Sequence, residues 1–133
     1  MQIVRAKSYR FALIFALTLA GCDGGFHMSA QVVDADGTPI PSATAAASRE
    51  KSPAEFTEAA NKAGCVSLGG LTAPGNYNFR VNISALGYKS LQLSMPTIQH
   101  NTFRIVLAKQ TQVFTGQAIS ITESDWHEHC HVI

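Results

Sequence analysis

The stretch Asn76-Tyr77-Asn78-Phe79-Arg80-Val81-Asn82-Ile83 alternates polar and apolar residues without a fault. Side chains along a strand point to opposite faces with period two. Tyr77, Phe79, Val81 and Ile83 therefore share one face, and the asparagines and Arg80 share the other. A strand that is dry on one face and wet on the other belongs to a sheet that covers a core on one side only.

Outward from that strand the theme repeats. Strand-like segments fall at 28–33, 43–48, 56–60, 66–71, 90–95 and 102–107, separated by turn chemistry. Asp36-Gly37 and Pro74-Gly75 punctuate the chain, Gly87 supplies a residue tolerant of positive φ, and Pro39 and Pro41 bar a regular ladder around Ile40. The charged, proline-containing run at 49–55 reads as a surface loop. No long amphipathic helix interrupts residues 26–109. The pattern predicts an all-β fold, a seven-stranded sandwich.

The chain of 133 residues, 46% hydrophobic and 14% charged, has room for one folded domain. Its N-terminus has the layout of an export signal: Arg5, Lys7 and Arg10, then ten apolar residues FALIFALTLA at 11–20. Ten residues cannot cross a hydrocarbon core that needs about 20 in a helix. The run ends in Leu19-Ala20-Gly21-Cys22. This resembles the lipobox of bacterial lipoproteins, which implies a signal peptide helix over 1–21, acylation of Cys22 and a membrane-anchored tether over 22–26. Asp23 resembles the signal that retains such lipoproteins in the inner membrane, the outer membrane being the alternative. Removing Arg5, Lys7 and Arg10 leaves 7 basic residues against 9 acidic ones, a net charge of −2 with no footprint for nucleic acid.

Export implies an oxidising compartment in which disulfides persist. With Cys22 acylated, only Cys65 and Cys130 remain. Register turns Val66 and Leu68 inward and Cys65 outward, where a returning tail can reach it, so a Cys65–Cys130 bridge is expected. Closing a loop of that length stabilises by about 4 kcal/mol in the chain-entropy model.

Three stretches carry a more specific resemblance: VVDADGTPIPSA at 32–43, NKAGCVSLGGL at 61–71 and PGNYNFRVNISALGY at 74–88. Together they resemble the carboxypeptidase regulatory-like domain, whose pattern is a D-x-x-G-x-P opening, a D-x-x-G-x-F-x-L middle and a G-x-Y-x-L-x-V end. The likeness implies a transthyretin-like Greek-key sandwich over 27–109. Ala30 and Ser42 stand where that family often has glycine, Asn61 replaces its aspartate and Val66 its aromatic residue. The last strand runs two residues longer before Gly87-Tyr88, an even change that keeps the inward face inward. In metallocarboxypeptidases the domain is an accessory beside a catalytic unit, and no such unit is expected here.

The tail at 110–133 contains His127-Glu128-His129-Cys130-His131, which includes H-E-x-x-H, the signature of zinc peptidases. That chemistry needs a third protein ligand and a cleft, and neither is evident in the sequence, so the peptidase reading is set aside. Ser120 and Glu123 have the spacing of a capping box for a short helix. If the tail is instead extended, His127, His129 and His131 line one side about 7 Å apart. They could then chelate copper, zinc or nickel, with Cys130 as an optional soft ligand. That reading and the disulfide compete for one sulfur. The plainer alternative is a solvated tail whose Trp126 packs on the sandwich.

Asp34 and Asp36 read as turn residues rather than calcium ligands, and Met28 and Met95 as strand packing rather than copper ligands. No G-x-S-x-G, P-loop or G-x-G-x-x-G is present. A transthyretin-like hydrolase of the purine pathway shares the expected fold, but that family ends in Tyr-Arg-Gly-Ser. The expectation is a non-enzymatic, lipid-anchored envelope protein, without cofactor, whose sandwich binds or scaffolds an envelope protein or glycan. The alternative is metal binding through the tail.

Overall fold

The computed structural model describes residues 25–49, 56–71, 78–96 and 100–130. Within them eight strands precede one helix: β1 (Gly25–Val33), β2 (Thr44–Arg49), β3 (Phe56–Ala59), β4 (Cys65–Leu71), β5 (Asn78–Ser84), β6 (Leu91–Pro96), β7 (His100–Val106), β8 (Gln117–Ser120) and α1 (Glu123–Cys130). The strands form two four-stranded sheets, ordered β4-β1-β7-β8 and β3-β2-β5-β6. Neighbours are antiparallel except β1 and β7, which run parallel.

The decisive strand keeps its alternation. Phe79, Val81 and Ile83 of β5 are fully buried, while Asn78, Arg80 and Asn82 are exposed. Tyr77 lies outside the described residues. Facing β5 across the core are Phe26, Met28, Ala30 and Val32 of β1, with Val66, Leu68, Ile105 and Leu107 beside them. The inward residues of β2 and its approach are all small, Ala43, Ala45 and Ala47. Small side chains there leave volume for rings, and Phe79 stacks on Phe26 with centroids 4.6 Å apart and lies 6.0 Å from Phe56. Met28 and Met95 are both core residues.

Two of the turn positions have visible consequences. Ser42 has φ +63°, the left-handed region that glycine enters without steric cost. Asn61 accepts hydrogen bonds at Oδ1 from the amides of Ala63, at 2.9 Å, and Cys65, at 3.0 Å. It therefore does the turn-fixing work of an aspartate without the charge. Asp34 works the same way, its Oδ1 accepting from the amides of Asp36 and Thr38.

The sequence pattern predicts seven strands, and the eighth, β8, lies within the segment read as a tail. Its four residues pair with β7 from Phe103↔Ser120 to Val106↔Gln117. Only Ala118 of this strand packs on the core, so it has too little alternation to stand out. The tail is not extended after β8. It turns into α1, capped by Thr122, whose Oγ1 accepts from the Asp125 amide at 3.1 Å and whose carbonyl accepts from the Trp126 amide at 3.1 Å. The cap is thus Thr122 with Asp125 at the third helical position, rather than Ser120 with Glu123. Glu123 and Asp125 in the first turn and His127 and His129 in the last suit the helix dipole.

Candidate functional site

Register sets the base of the site. Cys65 of β4 pairs with Gln31 of β1, Gln31 with Arg104 of β7, and Arg104 with Ile119 of β8. Phe26, Met28, Ala30 and Val32 face the core, so period two sends Gln31 outward, and its three partners lie in one row across the outer face of the sheet. Adjacent members of such a row sit about 4.8 Å apart.

An outer face ordinarily meets water, yet Ser29 and Gln31 are only 4% and 6% exposed, and Val33 is 3% exposed. The cover is α1, which packs on β1 and β7. Its far end is joined to β4 by the Cys65–Cys130 disulfide, with S–S 2.02 Å and Cα atoms 5.8 Å apart. The helix is therefore a third layer, tied to the sheet at both ends.

Beside the helix a cleft of about 260 Å³ opens between Gln31, Val33, Gly37, Pro39, Arg104 and His129. Val33, Gly37 and Pro39 give it an apolar wall, and the other three supply polarity. Gln31 donates from Nε2 to the Ala63 carbonyl at 3.2 Å, which fixes the amide and leaves Oε1 as an acceptor. His129 Nδ1 lies 3.0 Å from the Asp125 carbonyl oxygen. A carbonyl only accepts, so Nδ1 carries the proton, and in the neutral ring Nε2 keeps its lone pair. Among the described residues no carboxylate pairs with the Arg104 guanidinium, and Asp34 is engaged with turn amides. A fixed cation, an imidazole and an amide oxygen around one cavity suit a ligand that bears a carboxylate or phosphate and has a donor of its own.

The residues singled out in the sequence divide. Cys65 and Cys130 come together in the disulfide. Cys22, Asp23 and His131 lie outside the described residues. The extended-tail geometry for His127, His129 and His131 is not what the chain adopts. In a helix two residues turn through about 200°, so His127 and His129 point to opposite sides. His127 meets Trp126 edge-on, with ring centroids 5.2 Å apart, and His129 borders the cleft. Cys130 is held in the disulfide, and no three His, Cys, Asp or Glu side chains converge among the described residues. Trp126 is half-buried, beside a small cavity that it shares with Asn61, Cys65, Val66, Ser67 and Cys130.

Gln31 and Arg104 were not legible as site residues. Each is an ordinary polar residue on the outward side of an alternating strand, and only the parallel β1–β7 register makes them neighbours.

No protein-family model matches the chain, and no curated protein does. Solved structures do. The 5-hydroxyisourate hydrolase of Klebsiella pneumoniae superposes with a TM-score of 0.56 over 72% of this chain and 99% of that one, at 13% identity. A 3-chlorocatechol 1,2-dioxygenase from Rhodococcus opacus 1CP reaches a TM-score of 0.48 at 11% identity, covering 64% of this chain and 59% of that one. The first likeness shows the fold, a transthyretin-like β-sandwich. It also corrects one expectation. The chain was expected not to be an enzyme because no catalytic unit stands beside the sandwich. A hydrolase is built on this same sandwich, so the fold needs no separate unit to carry catalysis, and that exclusion falls. At 13% identity the likeness extends to the fold and not to an activity.

Proposed function

We propose that this chain is a lipid-anchored protein of the bacterial cell envelope, acylated at Cys22 and retained in the inner membrane by Asp23. Its sandwich, of the carboxypeptidase regulatory-like kind, binds a small carboxylate or phosphate anion in the cleft formed by Gln31, Arg104 and His129. The carrying observation is Arg104, a guanidinium beside an imidazole in a concave site with no carboxylate partner among the described residues. The disulfide agrees with export, since such bonds persist in oxidising compartments. The lipobox-like residues 19–22 behind ten apolar ones support the anchor.

The test uses the full-length chain in detergent micelles, titrated with citrate and, separately, with inorganic phosphate, following the imidazole resonances of His129 by NMR. Saturable shifts with at least one probe are expected. Arg104→Ala removes a charge-assisted hydrogen bond worth about 1.5–3 kcal/mol, so affinity falls about tenfold to a hundredfold. No saturable shift with either probe, or unchanged affinity in the variant, refutes the reading.

A further inference from the structure

The cleft is lined from two elements, because His129 belongs to α1 while Gln31 and Arg104 belong to the sheet. What holds α1 down can be read residue by residue. It has eight residues, and Cys130 is its only buried side chain. Helices shorter than about 12–15 residues are marginal unless tertiary contacts hold them. Trp126 supplies a further contact, half-buried, but its Nε1 is buried without a partner among the described residues. The indole therefore docks at a polar cost that offsets part of its apolar gain. At the near end the chain is tied to β7 by the Ile121 amide, which donates to the Thr102 carbonyl at 3.0 Å. At the far end the tie is Cys130 to Cys65. One end is joined to the sheet by a backbone hydrogen bond and the other by a covalent bond.

We propose that the Cys65–Cys130 disulfide is a redox latch on the anion cleft, an inference that rests on the anion-binding reading of that site. The co-reactant is a dithiol reductant. Its thiolate attacks one sulfur of the bridge, breaking the S–S bond and forming a mixed disulfide. Its second thiol then displaces the protein sulfur. The dithiol ends as a disulfide, having given two electrons and two protons, and Cys65 and Cys130 end as thiols. Cys130 is the last residue of α1, so fraying of the final turn brings the bond within reach without opening the sandwich. With the latch open, α1 lifts from β1, His129 leaves the cleft, and Ser29 and Gln31 become exposed. The site loses its imidazole wall and the enclosure that strengthens its charge interactions.

The experiment compares the full-length chain in detergent micelles, oxidised and then reduced with dithiothreitol, alongside Cys130→Ser. Three quantities are read: strand content by far-UV circular dichroism, the emission of Trp126, the only tryptophan in the chain, and the affinity for citrate or phosphate, whichever the oxidised chain binds. The expected result is unchanged strand content, a red shift of Trp126 emission, and at least a tenfold loss of affinity that reoxidation restores in the parent chain and not in Cys130→Ser. Unchanged emission and affinity on reduction overturn the latch and leave the anion site standing. Loss of strand content overturns it too, since the bond would then hold the whole sandwich rather than α1. If the oxidised chain binds neither anion, the site reading fails and the gating of it fails with it, while Trp126 still reports whether the helix is released.

Discussion

Replacing Phe79 by alanine tests the core at the point where the fold is decided. The ring is fully buried, stacked on Phe26 at 4.6 Å and 6.0 Å from Phe56. The inward residues of the neighbouring strand β2 are alanines, too short to fill the space left behind. Phe→Ala substitutions in such sites cost about 3–5 kcal/mol, and poor collapse puts this one at the upper end. With a urea m-value of about 1.5 kcal/mol/M, a loss of about 4 kcal/mol lowers the unfolding midpoint by about 2–3 M. The assay is urea unfolding of the full-length chain with its disulfide intact, followed by circular dichroism. Asn82→Ala is the internal control. It lies on the same strand, faces solvent, and should change stability by under about 0.5 kcal/mol. If Phe79→Ala costs less than about 1 kcal/mol, or Asn82→Ala costs as much, the two faces of β5 are not what the alternation requires.

Two further outcomes follow from the turn and from the anchor. Gly64 has φ +76°, and a Cβ there would overlap the carbonyl oxygen of Val32, whose own amide donates to the Gly64 carbonyl at 2.7 Å. Gly64→Ala should therefore cost at least about 2 kcal/mol from conformation and overlap together, lowering Tm by about 10 °C; a change under about 3 °C in thermal unfolding would contradict this. Cys22→Ala should abolish metabolic labelling with radioactive palmitate and release the chain from the membrane fraction, and persistent labelling would end the lipid-anchor proposal.

The sandwich was legible because its signal is local. Phe79, Val81 and Ile83 announce a half-buried strand without reference to any other residue. Gly37 and Gly87 both adopt positive φ at the turns, a demand that sequence alone makes visible. β8 was illegible for the opposite reason. Gln117, Ile119 and Ser120 are exposed, and the strand exists because the edge of β7 offers it hydrogen bonds, a property of β7 and not of its own residues. The helix shows the same limit. His-x-His-x-His is a strand-like pattern on paper, but the Thr122 cap and a partner cysteine across the sheet decide the local conformation.

The outer face of β1 did carry a sign of its cover. Outward positions on β5 are Asn78, Arg80 and Asn82, long and polar, as a water-facing surface requires. Outward positions on β1 include Ser29, Gln31 and Val33, none of them charged and all less than a tenth exposed. A stretch of strand whose outward residues Ser29, Gln31 and Val33 carry no formal charge is suited to a second layer. A lone sandwich would otherwise leave that face to a neighbouring molecule. Here α1 closes it, fastened by a bond that oxidation makes and reduction breaks. The same closure places His129 beside Arg104, so the pair becomes a site only when the third layer is in place. The site therefore belongs to the helix–sheet junction, which explains why neither the sandwich pattern nor the histidine spacing could reveal it alone.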